Sequence, residues 1–381
     1  MLRKISLFLI VFLVSQNLFG QTKNSFCGTP TNVKNTLTAL SSPTSRGGAY
    51  ITYQGVLRVV VVFIQFKDDS QASTDWPLNT LPNWALNFVN ANPGNSFPYN
   101  NLSQYFYEMS NGNFQVVGYV HPQLMITNLN ESQYNQSLGA VNNEILTRIN
   151  PSVDFSQYDN WSGINPGPDG YVDMIFLMYR NFSNQLINGQ GWTGNAELFL
   201  PNNLAVDGKI IRSGFPGSGV QMRGGWHGND YIKYVAAHEL GHYLFGGGHI
   251  FGVSDLAIMT GGPVWNSSRG MHSWERWKLN WLNYTDVNSN STVTATDYMT
   301  TMNVYRTSIS SSEYYSFENR EKISSHDWAG GQGVYIYHVT DYGYPPTIDV
   351  QCADGNWDFT INPSAYYPLA KSQPNVNGKM R

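Results

Sequence analysis

The segment His238-Glu239-Leu240-Gly241-His242 holds the residues of this chain whose types and spacing can do chemistry. On an α-helix, residues four apart stand on one face. His238 and His242 can therefore offer two imidazole nitrogens to one zinc ion. Glu239, next to the first histidine, can reach a water on that ion and take its proton as general base. Zinc lowers the pKa of such a water toward neutrality and polarises a carbonyl, so the pattern points to metal-assisted hydrolysis of an amide bond.

A hydrolytic zinc site of this kind takes three protein ligands and keeps one position open. The nearest third candidate is His249, because Gly246-Gly247-Gly248 break the helix and let the backbone turn back sharply. Asp255, His272 and Glu275 are the other candidates, and Glu275 would place the third ligand on a second helix. Ile258-Met259-Thr260-Gly261-Gly262 follows and puts a methionine in a tight turn.

These residues need a scaffold. Residues 231–245 are apolar and end at the glycines, which predicts the active-site helix. The β-branched run 57–66 and the run 172–179 predict buried strands, and 114–120 alternates like a strand. Helices are expected over 103–110, capped by Ser103 and closed by Asn111-Gly112, over 139–149, and as one short helix within 82–92. Residues 181–229 read as loop and short strands. The segment 273–282 sets Trp274, Trp277 and Trp281 at helical spacing, as core residues. From about residue 290 the texture turns Ser/Thr-rich and alternating, with strands at 313–319 and 333–339, where Glu318, Arg320 and His338 read as structural or surface residues.

At the N-terminus, Arg3 and Lys4 precede an apolar run over 5–14 and a small, polar stretch. That describes a secretory signal peptide, and the run is too short to span a bilayer. The organisation expected is a signal peptide over 1–20, a leader over 21–50, an α/β catalytic domain over 51–288 and a β-rich region over 289–381. The 41% apolar content excludes a disordered chain, and the absence of any clustered Lys/Arg run excludes a nucleic-acid partner. Two cysteines cannot make a zinc site alone. In an exported chain Cys27 and Cys352 are expected to pair, although Cys27-Gly28-Thr29-Pro30 also suits a leader thiolate that blocks a metal. Asp159, Asp169 and Asp173 lie around a Gly/Pro loop of the oxygen-rich kind that calcium favours, and they also fit a plain Asx-turn loop.

Several segments together resemble the immune inhibitor A family of secreted bacterial metallopeptidases. They are Arg58-Val59-Val60-Val61-Val62-Phe63-Ile64-Gln65-Phe66-Lys67-Asp68, Leu102-Ser103-Gln104-Tyr105-Phe106-Tyr107-Glu108-Met109-Ser110-Asn111-Gly112-Asn113-Phe114, and Asp169-Gly170-Tyr171-Val172-Asp173. Trp274-Glu275-Arg276-Trp277-Lys278-Leu279-Asn280-Trp281 is similar to the closing helix of that family, with Asn280 where glycine is usual. Glu318-Asn319-Arg320 and 331–338 are similar to its downstream β region. The resemblance covers roughly residues 55–345 in order. It implies a metzincin-like fold, a twisted sheet with an active-site helix, together with zinc and endopeptidase activity on extracellular proteins or peptides. No membrane contact is then expected once the signal is removed. Metzincins place a glycine three and a histidine six residues past the second ligand. Here Gly246 and His249 each come one residue later. A catalytically weak binding module or adhesin that keeps the fold is the alternative, and the intact Glu239 speaks against it.

Overall fold

The computed structural model describes residues 46–98, 100–182, 194–224, 228–250, 253, 256–260, 270–288, 290–327 and 331–351. The signal peptide, both cysteines, Asp255 and residues 352–381 lie outside the described residues. The chain is mixed α/β, with several sheets and few helices. The first part runs β1 (Gly55–Gln65), α1 (Leu102–Met109), β2 (Phe114–Val120), β3 (Met125–Ile126), α2 (Leu138–Ile149), β4 (Trp161–Ser162), β5 (Asn165–Pro166) and β6 (Ile175–Tyr179). Next come β7 (Gly194–Asn195), β8 (Leu204–Val206), β9 (Lys209–Ile211), β10 (Gly219–Arg223), α3 (Gly228–Phe245) and α4 (Ser273–Lys278). The last part holds β11 (Thr285–Asp286), α5 (Tyr298–Thr301), β12 (Val304–Ser308), β13 (Glu313–Arg320), β14 (Gly333–Thr340) and β15 (Thr347–Val350).

The main sheet has the order β2-β1-β6-β10-β7, with β3 also pairing β1. Its β1, β2, β6 and β10 are parallel, while β7 at the edge is antiparallel to β10. A parallel sheet covered on both faces explains why β1 is apolar throughout. Side chains alternate across a strand. Leu57, Val59, Val61 and Phe63 accordingly enter one core with α1 and α3, and Val60, Val62 and Ile64 enter a second core with α2. Each fully buried side chain of this size contributes about 1.5–3 kcal/mol, so β1 anchors both layers.

The second sheet, in the order β11-β12-β13-β14-β15, is antiparallel except for the β11–β12 pair. It begins at Thr285, ahead of the change in composition near 290. Its inward side chains Tyr314, Tyr337 and Val339 belong to the same core cluster as α3 and α4. Residues 46–50, which the sequence assigns to a leader, also pack on the body. The Ala49 and Tyr50 N–H groups donate to the Leu244 and Tyr243 carbonyls at 2.8 and 2.9 Å, satisfying the exposed end of α3.

Three expected elements differ. The cap of α1 is Asn101, whose side chain accepts the Gln104 N–H at 2.7 Å, rather than Ser103. Ser103 is buried and is used instead between the Asn90 N–H and the Val116 carbonyl. The segment 82–92 forms only a single 3₁₀ turn at Ala85–Asn87. Helix α4 stops at Lys278 because Asn280 takes φ +61. Trp281 N–H then donates to Arg276 O at 2.8 Å and Asn280 N–H to Trp277 O at 3.0 Å, the bonding of a Schellman stop. Asparagine tolerates this left-handed conformation nearly as well as the glycine usual at the position in the resembled family. Trp274 and Trp281 are core residues as expected, and Trp277 is half-buried beneath the Arg46 guanidinium.

Strands β1 and β2 approach closely at Gly118, where an added Cβ would lie 1.9 Å from the Val59 carbonyl oxygen. Gly118→Ala is expected to lower stability by about 3 kcal/mol by forcing the strands apart. Denaturant unfolding measures this, and an unchanged midpoint would show that β2 yields freely.

Candidate metal centre

Helix α3 is buried all round, which is unusual for a helix carrying Lys233, His238, Glu239 and His242. It packs on β10 and β7 of the main sheet, and the fold fixes its position along the axis. The Tyr243 hydroxyl sits 2.9 Å from Ala196 O and 3.0 Å from Gly219 O, and accepts the Gly217 N–H at 3.2 Å. Beneath the helix, Gly241 has no room for a side chain, since an added Cβ would lie 2.2 Å from the Met259 sulfur. The methionine of the predicted turn therefore packs against α3 at Gly241, the residue before His242.

His249 does come back to them. After Phe245 the backbone turns at Gly246, which has φ +125 and donates its N–H to His242 O at 2.9 Å. Imidazole nitrogens of His238, His242 and His249 lie within 4.8 Å of one another, and all three side chains are buried. His238 Nε2 and His249 Nε2 are 3.3 Å apart. His238 Nδ1 faces Ile258 O at 2.7 Å and His242 Nδ1 faces Gly246 O at 3.1 Å. A carbonyl can only accept, so each Nδ1 carries the proton and each Nε2 is the basic nitrogen, the one able to ligate a metal. Burial holds all three imidazoles neutral. It lowers His238 to about 3, with His249 as a second cause, and His249 to about 4. His242 is pushed well below its ordinary value by burial, then by His249 and His238.

Such a donor set fits zinc and its transition-metal neighbours, not calcium or magnesium, which take oxygen ligands. Among the described residues this is the single group of three His, Cys, Asp or Glu side chains whose ligand atoms converge. Glu239 is buried beside it and lies against β7, where an added Cβ on Gly194 would stand 2.2 Å from Glu239 Oε1.

His272 and Glu275, the described alternatives to His249, have other work. His272 Nδ1 accepts the Trp274 N–H at 3.0 Å and caps α4. Glu275 accepts the His272, Met259 and Ile258 N–H groups at 2.6, 2.8 and 3.2 Å. It thus clamps the methionine turn whose Ile258 carbonyl orients His238. Burial, opposed by these N–H donors, pushes Glu275 up to about 7. Its position three residues into a helix, after a possible cap, was the one sign of this role in the sequence. Nothing local marked Gly194.

The three aspartates of the 159–173 loop do not meet on one point. Asp159 accepts the Asp169 and Gly170 N–H groups at 2.8 and 2.9 Å and pairs with Lys209 at 2.7 Å. Asp173 accepts the Asn160 and Trp161 N–H groups, and Asp169 accepts the Tyr171 N–H. These bonds are those of an Asx-turn loop. Glu318 and Arg320 are structural: Arg320 is buried between Glu318 at 2.7 Å and Asp327 at 2.9 Å, and reaches Leu256 O at 3.2 Å. His338 is half-buried on the second sheet and pairs with Glu313 at 2.8 Å.

Comparison of the chain with protein-family models and with curated protein sequences finds no match.

Because His272 accepts through Nδ1, its capping bond requires the neutral ring. Burial first, then Arg320, lowers its pKa from 6.5 to about 4. As pH falls, the unfolded chain takes up this proton before the folded one. The stabilisation is complete above 6.5 and is lost down through about 4, to a total of about 3 kcal/mol. Asparagine caps without titrating. Between pH 7.5 and 4.5 the wild type should therefore lose about 3 kcal/mol more stability than His272→Asn. Urea midpoints at the two pH values measure it, and parallel losses would refute it.

Proposed function

We propose that this chain is a zinc-dependent endopeptidase in which His238, His242 and His249 hold the metal and Glu239 is the general base. The observation that carries the reading is the convergence of three neutral, buried imidazoles, with a carboxylate next to the first of them on the same helix. Zinc held there supplies a Lewis acid and an acidified water. The chain does the rest. The Nδ1 bonds to Ile258 and Gly246 keep His238 and His242 in the donating tautomer. Glu239 takes the proton of the attacking water as its oxygen adds to the scissile carbonyl carbon. The same carboxyl then gives that proton to the departing amine as the C–N bond breaks.

Strand β7 supports a peptide substrate. It is the antiparallel edge of the main sheet, and Gly194 on it touches Glu239. An extended peptide can add to such an edge through main-chain bonds. One layer of parallel strands, the buried helix, the glycine turn and the methionine beneath it support a metzincin-like arrangement. With the order of the matching segments, they support kinship to the immune inhibitor A family. Arg3 and Lys4 before the apolar run 5–14 support secretion. Among the described residues no helix is long and apolar enough to cross a membrane.

Glu239→Gln should keep one zinc per chain and lose casein hydrolysis by about 10³-fold. Metal analysis and a fluorescent-casein assay read the two quantities together. Zinc binding with hydrolysis that does not depend on Glu239 would favour a binding module. No zinc in either protein would remove the metal site.

A further inference from the structure

We infer that Tyr344, from the loop between β14 and β15 of the second sheet, is the positioning residue that holds His249 at the metal. The inference rests on His249 being the third ligand. A ligand that follows three glycines has little local restraint, because glycine loses more freedom on ordering than any other residue. Something outside the segment must fix it. One tie is to the methionine turn, where the Ile250 N–H donates to Met259 O at 2.8 Å. The other comes from the second sheet. The Tyr344 hydroxyl donates to Gly248 O at 2.5 Å, one residue before the ligand.

The ring bearing that hydroxyl is itself held. It stacks on Phe245 at 6.0 Å between centroids and on Trp274 at 6.3 Å, with interplanar angles of 16° and 20°. Trp274 in turn donates to Asp341 at 3.1 Å, and Asp341 accepts the Gly343 N–H, so the loop is anchored to α4 at its base. The approach is close enough to need the glycines. An added Cβ on Gly246 would lie 3.1 Å from the Tyr344 ring, and one on Gly248 would lie 2.9 Å from Pro345. The run Gly246-Gly247-Gly248 therefore does more than reverse the chain: it leaves space for the aromatic clamp. The second sheet is on this account part of the metal centre.

The test uses the full chain and zinc itself, titrated against a chromogenic chelator. Outer partners of metal ligands typically change affinity by 10–100-fold. Tyr344→Phe keeps the stacking and removes the hydroxyl, and is expected to weaken zinc about 10-fold, with the melting temperature of the metal-free protein nearly unchanged. The visible bands of the cobalt-substituted protein should shift toward those of His249→Ala. The double variant His249→Ala/Tyr344→Phe should bind zinc no more weakly than His249→Ala alone, because the tyrosine acts through that ligand. Wild-type affinity in Tyr344→Phe, or losses that add in the double variant, would overturn the inference while leaving the site intact. If His249→Ala binds zinc like the wild type, the three-histidine site is wrong and the clamp falls with it. Tyr344→Ala is the larger perturbation, and where it does not fold the phenylalanine variant decides.

Discussion

Three imidazoles converge inside the protein, where burial disfavours the protonated form of each. The surrounding fold is organised to hold that arrangement. Helix α3 is buried from Tyr231 to Phe245, its Tyr243 is bonded into the sheet, and each helical histidine gives its second nitrogen to a backbone carbonyl. Those carbonyls are themselves restrained, one by the helix end at Gly246 and the other by the turn that Glu275 clamps. Donor atoms restrained from several directions are suited to bind a metal without having to reorganise.

The parts of this scheme that sequence made legible are those with a local period. The i, i+4 histidines, the unbroken β1 run and the apolar helix before the glycines could be placed because helix and strand geometry repeat over short distances. His249 could be nominated by proximity, in spite of a spacing one residue longer than the pattern it resembles. The cap of α1 went to the wrong residue because Ser103 and Asn101 are equally good caps, and the Asn90 N–H and Val116 carbonyl that occupy Ser103 lie 13 positions away on either side of it. Glu275 suited a ligand by its chemistry, but the three N–H groups it accepts come from two segments that sequence cannot show to be adjacent.

Composition marked the boundary near 290, whereas packing does not respect it. Arg320 on β13 spans from two carboxylates of its own region to the Leu256 carbonyl beside the methionine turn. Burying a guanidinium costs several kcal/mol. Here Glu318 and Asp327 share the offsetting charge. Glu318 is held below the ordinary carboxylate range because Arg320 and its other partners outweigh burial. Asp327 is pushed up by burial, with the charge of Glu318 adding to it. A polar junction of this kind ties β13 to the segment at Leu256 with directional bonds, which an apolar contact would leave looser.

The hydroxyl of Tyr344 meets a carbonyl 96 positions earlier in the chain. During synthesis His238, Glu239, His242 and His249 emerge together, with their helix and turn, long before the loop that closes over Gly248 exists. Contacts so distant in sequence form late, after the loop-closure entropy between them has been met. The growing polypeptide thus carries the three histidines and Glu239 through a period in which the Tyr344 loop over Gly248 has yet to be made. Order of assembly then sets when the pocket first becomes rigid.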